Sequence, residues 1–86
     1  MEPTVSLCDL QPGQRATVCR LDNPPAMRRR LLDLGLLPGT QVTCVGRSPG
    51  GDPAAYRICQ AVVALRREDS RSVWVCPVDG ADALWD

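Results

Sequence analysis

Two Pro-Gly pairs, Pro12-Gly13 and Pro38-Gly39, constrain this chain more than any other feature. Proline presets φ at the second position of a type II turn, and glycine accepts the positive φ required at the third. Each pair therefore marks a reversal of the backbone. Each follows an apolar residue, Leu10 or Leu36, and each leads into a threonine-containing strand pattern, Arg15 to Leu21 or Thr40 to Gly46. The echo reads as two similarly built strand entries. It is too short to be a duplicated domain.

Between the two turns the spacing predicts a helix from Pro25 to Leu34, with Met27, Leu31 and Leu34 on one face, which packs on the sheet. Pro25 suits the first helical position, and Pro24, ahead of another proline, stays non-helical. Gly35 then provides the left-handed C′ residue of a Schellman cap. Leu36 folds back on Leu31, and Pro38 blocks continuation.

The second half reads as strands over Ala55 to Gln60, Val62 to Arg67 and Ser72 to Cys76, with Val42, Tyr56, Ile58, Val63, Leu65, Val73 and Val75 facing inward. Ser48 to Pro53 is a loop, and Gln60-Ala61 joins two strands as a hairpin. Five short strands and one helix within 86 residues leave room for a single core. A small, strongly bent barrel or roll is the expected architecture, because closure hides the edges of a short sheet. Residues 1–78 form this domain, and 79–86 are a loose acidic tail.

The core must be aliphatic: there is no Phe, and the aromatic residues are Tyr56, Trp74 and Trp85. Ten acidic residues balance ten basic ones, all arginine, which argues against holding nucleic acid by bulk charge. There is no histidine, no GxSxG nucleophile motif and no Gly-rich, Lys-containing phosphate loop, so neither catalysis nor GTP hydrolysis is expected. The adjacent Glu68-Asp69 pair starts a solvated turn rather than forming a catalytic dyad. No apolar stretch approaches the roughly 20 residues that span a bilayer, so direct membrane insertion is not expected.

Five cysteines at irregular spacing, without a CxxC pair, argue against a disulfide framework and provide no metal-site signature. Strand alternation turns Cys19, Cys59 and Cys76 away from the core. Small half-exposed strand residues are one reading of them, and a thiol cluster that handles metal is another. The densest charge run is Arg28-Arg29-Arg30 on the helix. It is either a solvated face, with Arg29 pairing with Asp33 one turn on, or a docking patch for an acidic partner, since guanidinium forks bind carboxylate and phosphate bidentately. The arginines have no interleaved aromatics of the kind on which nucleic-acid bases stack.

Taken in order, Leu7-x-x-Leu10-x-Pro-Gly13, then Arg29-Arg30-Leu31-Leu32-Asp33-Leu34-Gly35-Leu36-Leu37-Pro38-Gly39-Thr40, then Pro49-Gly50-Gly51-Asp52-Pro53, then Ala64-Leu65-Arg66-Arg67, the chain resembles the ferrous iron transport protein A (FeoA) family over about Ser6 to Cys76. The resemblance implies a mostly β, small SH3-like barrel with one inserted α-helix. It implies a cytoplasmic accessory protein of bacterial ferrous iron uptake, partnered by the membrane-embedded, GTP-hydrolysing permease of that system. No cofactor is implied. The motif residues Pro12, Gly13, Leu31, Gly35, Leu36, Pro38, Gly39, Asp52 and Pro53 are caps and turns rather than ligands. Similar chains often place a glycine at the hairpin where this one has Gln60-Ala61. Two other readings stay open: a regulatory module like the C-terminal domain of iron-dependent transcription regulators, and a thiol-based metal-handling protein. The unpaired strand edges of such a small barrel also allow a homo-oligomer.

Overall fold

The structure, a computed structural model, describes residues 4–78. The chain forms β1 (Val5–Ser6), a 3-10 turn (Leu7–Asp9), β2 (Arg15–Leu21), α1 (Pro25–Asp33), β3 (Gln41–Arg47), β4 (Ala54–Ile58), β5 (Ala61–Leu65), α2 (Arg67–Ser70) and β6 (Val73–Pro77). Alternation decides the sheet: Ala16, Val18, Val42, Cys44, Ala54, Tyr56, Ile58, Val73 and Val75 are all buried, so one face of β2, β3, β4 and β6 is apolar. The six strands lie in the order β1-β6-β2-β3-β4-β5, all antiparallel. The sheet bends around this aliphatic core, and among the described residues no ladder joins β1 to β5. The result is the expected SH3-like barrel, open along one seam.

Both Pro-Gly turns form as the sequence requires. Gln14 N–H donates to Gln11 O (2.9 Å) and Thr40 N–H to Leu37 O (2.9 Å), with φ of +90° at Gly13 and +93° at Gly39. The echo between them has a structural counterpart. Gly13 N–H donates to Cys44 O, and Gly39 N–H to Val18 O, so each turn is pinned to the strand that follows the other. β2 pairs with β3 about Ala16↔Val42, and each carries a bulge, at Cys19 against β6 and at Val45 against β4. An approximate two-fold axis through Ala16 and Val42 thus relates β2 to β3 and β6 to β4. A bulge sharpens the local twist, and two at equivalent positions bend both halves of the sheet over one core.

Helix α1 starts at Pro25 after an extended Pro24 (φ −53°, ψ 151°). It ends in the expected Schellman cap: Gly35 N–H donates to Leu32 O and Leu36 N–H to Leu31 O, both at 3.0 Å, with Gly35 at φ +107°. Leu31 and Leu36 are fully buried, and Met27 packs against the core. Leu34 departs from expectation. It is the C-cap and is 37% exposed, because the chain turns at Gly35 and delivers Leu36 to the core in its place.

Five further expectations differ from what the structure shows. Each predicted strand after β2 is displaced by one or two residues at its ends, and Val63 is only half-buried. β1 is a sixth strand; only two residues long, it has no readable alternation. Glu68-Asp69 lies in the one-turn helix α2, not in a turn. The hairpin turn is Cys59-Gln60, since Ile58 pairs with Ala61, and Cys59 itself takes the positive φ, at 57°. Positive φ at the first loop position matches a type II′ turn, where glycine is usual. The proposed 79–86 tail lies outside the described residues.

Tyr56 fills the centre of the core with no exposed surface. Burial pushes its phenol above the ordinary value, with the Ser70 hydroxyl opposing that shift. Neither hydroxyl completes a hydrogen bond of regular geometry. A folded-state pKa above the unfolded value of about 10 stabilises the fold below that pH, and the contribution is lost as pH rises through the folded pKa. Tyr56→Phe is therefore expected to change stability by no more than about 1 kcal/mol at pH 7. It should also lessen the fall in urea midpoint between about pH 8 and about pH 11, relative to the parent chain.

Candidate partner-binding surface

The arginine run lies on α1 because three consecutive positions of a surface helix step around its axis by about 100° each. Arg28, Arg29 and Arg30 are all exposed, and none forms an ion pair among the described residues. The expected Arg29–Asp33 pair does not form; an exposed pair gains too little to hold two long side chains in one rotamer. Nor do the three arginines make one patch. Arg28 borders one side of the helix and Arg30 the other.

On the Arg28 side, an open groove of about 510 Å³ is lined by Leu21, Leu32, Leu37 and Pro38, with Arg20 on the far rim. Leu37, 51% exposed, belongs to the turn that carries the second Pro-Gly pair. Arg20 is held in place: its Nε donates to Asp22 Oδ2 at 3.0 Å, and its guanidinium lies 5.5 Å from the centroid of the Trp74 ring. Arg28 has no such tether. On the Arg30 side, a groove of about 300 Å³ runs between α1 and β5, floored by Met27, Leu34 and Val63 and edged by Arg66 and Asp69. Each groove joins exposed aliphatic surface to a guanidinium. That pairing suits a protein segment presenting a carboxylate beside an apolar side chain.

The motif residues lie in turns, caps and loop contacts. Pro12, Gly13, Pro38 and Gly39 make the two turns, while Leu31, Gly35 and Leu36 close the helix. The Asp52 carboxylate accepts the Arg67 N–H at 3.0 Å, capping α2 from a distant loop, and Pro53 O accepts Ser48 N–H. Of these, only Leu31 and Pro38 also line either of the two grooves beside α1.

Two scaffold residues escaped the sequence reading. Asn23, almost fully buried, donates from Nδ2 to Asp69 O at 2.7 Å and so ties the entry of α1 to α2. Arg47 reaches from β3 to the carbonyls of Cys8 and Leu10, holding the 3-10 turn against the barrel. Their partners lie 46, 39 and 37 residues away, so no local pattern announces them.

The cysteines do not converge. Cys19 and Cys59 are exposed, Cys8 and Cys76 half-buried and Cys44 buried, and no three potential metal ligands cluster among the described residues. No helix there is long and apolar enough to cross a membrane.

Comparison with known proteins adds the remaining observations. The chain is 36% identical over 69 residues to a Porphyromonas gingivalis protein named as an Fe(2+) transport protein A/Fe(2+) transporter FeoB fusion. The match takes in 80% of this chain but 8% of that protein, so the chain spans a small fraction of the length of the curated relative it matches. The FeoA protein of Chlorobium tepidum superposes with a TM-score of 0.83 at 33% identity, over 88% of this chain and 72% of that one. A zinc complex of Stenotrophomonas maltophilia FeoA, an SH3 domain protein, gives a TM-score of 0.71 at 31% identity, over 90% of this chain and 92% of that one. The FeoA domain model itself matches residues 5–77, from the first residue of β1 to the last of β6. By fold, motif order and this match, the chain belongs to the FeoA domain family, a family linked to ferrous iron transport.

Proposed function

We propose that this chain is a non-enzymatic, cytoplasmic accessory protein of bacterial ferrous iron uptake that docks on the membrane ferrous iron permease of the same system. One observation carries the reading: in the Porphyromonas gingivalis relative, the two activities are named together in one fusion protein. A domain joined covalently to its partner in one organism is a candidate to bind that partner as a separate chain in another, because fusion supplies the effective concentration that affinity must otherwise provide. The arginines of α1 and the grooves beside them are the proposed docking surface, and cytosolic carboxylates of the permease their counterpart.

The test is a pull-down with tagged chain from bacterial membranes grown anaerobically with ferrous iron. The parent chain is expected to recover the permease, and the joint change of Arg28, Arg29 and Arg30 to Glu to abolish recovery. Arg28→Glu and Arg30→Glu alone then assign the contact to one groove. Equal recovery by the triple variant would move the surface off α1. Absence of the permease from every sample would overturn the docking reading and leave the regulatory and thiol-based readings to be tested by metal titration.

A further inference from the structure

The two ends of the sheet are guarded unequally. β1 is two residues long and runs straight into the 3-10 turn, which limits what can pair with it. β5 has five residues, Ala61-Val62-Val63-Ala64-Leu65, with regular pairing to β4 throughout and no bulge, proline or charge. Among the described residues, the backbone of β5 is hydrogen-bonded to β4 alone, leaving the donors and acceptors of its outer edge unused. Val62 is 57% exposed, the most exposed large apolar residue of the described chain. Natural sheets protect edges of this kind with charge, bulges or a covering segment.

We propose that the β5 edge pairs with β5 of a second copy of this chain, antiparallel and two-fold symmetric about Val63. The strand is self-complementary in that register. Val63 lies opposite Val63, Val62 opposite Ala64 and Ala61 opposite Leu65, so every cross-strand pair is apolar. Beyond the strand, Arg66 meets Gln60 rather than another arginine. The net charge of zero places no overall repulsion between copies. The groove along Val63, Met27 and Leu34 gives the incoming strand an apolar seat beside the edge. A symmetric contact of this kind closes as a dimer. Five residues of strand form a small interface, so association is reversible and concentration-dependent.

Sedimentation of the full chain between about 10 μM and about 1 mM is expected to show the mass rising from 9.3 kDa towards double that value. Val62→Lys should raise the dissociation constant at least about tenfold, and Val45→Lys, at a valine 40% exposed on β3, should leave it unchanged. Circular dichroism establishes that each variant is folded; should Val62→Lys not fold, Ala64→Lys makes the same test. In a mixed sample of isotope-labelled and unlabelled chains, a cross-copy NOE between Val63 α-protons is expected. A monomer at the highest concentration, or a dimer indifferent to Val62→Lys, overturns the proposal. A monomer whose outer β5 amides resist exchange overturns it too, because the chain's own residues then cover the edge.

Discussion

Replacing Gly35 by alanine is expected to destabilise the domain by about 2–4 kcal/mol, measured as a fall in the urea midpoint. Two effects combine at this position. A φ of +107° is one that side-chain-bearing residues adopt only at a cost of about 1–2 kcal/mol. A Cβ built there would also sit 3.1 Å from Ile58 Cγ2 and 3.5 Å from Cys59 Sγ. Ile58 is fully buried and must shift to admit the methyl group, so overpacking adds about 1–3 kcal/mol. The loss of glycine's unfolded-state freedom returns about 0.4–1 kcal/mol. Gly13→Ala and Gly39→Ala provide the comparison, since both share the positive φ but have open space where a Cβ would go. They are expected to cost about 1 kcal/mol each. Equal losses at all three sites would mean that the approach of α1 to Ile58 contributes nothing. For a domain of this size, whose total stability is on the order of 5–10 kcal/mol, the Gly35 variant forfeits a large share.

The second large effect is expected at Leu36. Leu36→Ala removes a fully buried side chain that packs among Leu31 and the strand residues of the core, and should cost about 2–5 kcal/mol. Leu34→Ala, two residues earlier, should cost well under about 1 kcal/mol, because Leu34 is 37% exposed and leaves no closed cavity behind. The contrast is informative because helical periodicity alone assigns Leu34 to the buried face. A larger loss at Leu34 than at Leu36 would mean that α1 continues through Gly35 in solution and that the Schellman cap does not form. Circular dichroism at 222 nm on both variants distinguishes cap failure from simple loss of core packing.

What the sequence settled by itself was decided within a few residues of each position. Pro12-Gly13 and Pro38-Gly39 specify their turns because proline and glycine restrict φ without reference to the rest of the chain. Pro25 and Gly35 bound α1 for the same reason. The alternation along β3, β4 and β6 put Val42, Tyr56, Ile58, Val73 and Val75 on the inner face, since successive strand residues must point to opposite sides. The cap at Gly35 brought Leu36 onto Leu31 through bonds that span one helical turn.

Tertiary structure decided what depends on partners far along the chain. Asp52 caps α2 and Arg47 secures the 3-10 turn only because the sheet brings segments together that are 15 and nearly 40 residues apart. The bulges at Cys19 and Val45 and the positive φ of Cys59 are likewise set by how the sheet bends around its core. Sterics and local hydrogen bonds act over the length of a turn and are written in neighbouring residues. Packing selects among the registers that those residues leave open, and it does so through contacts with no signature in either segment alone.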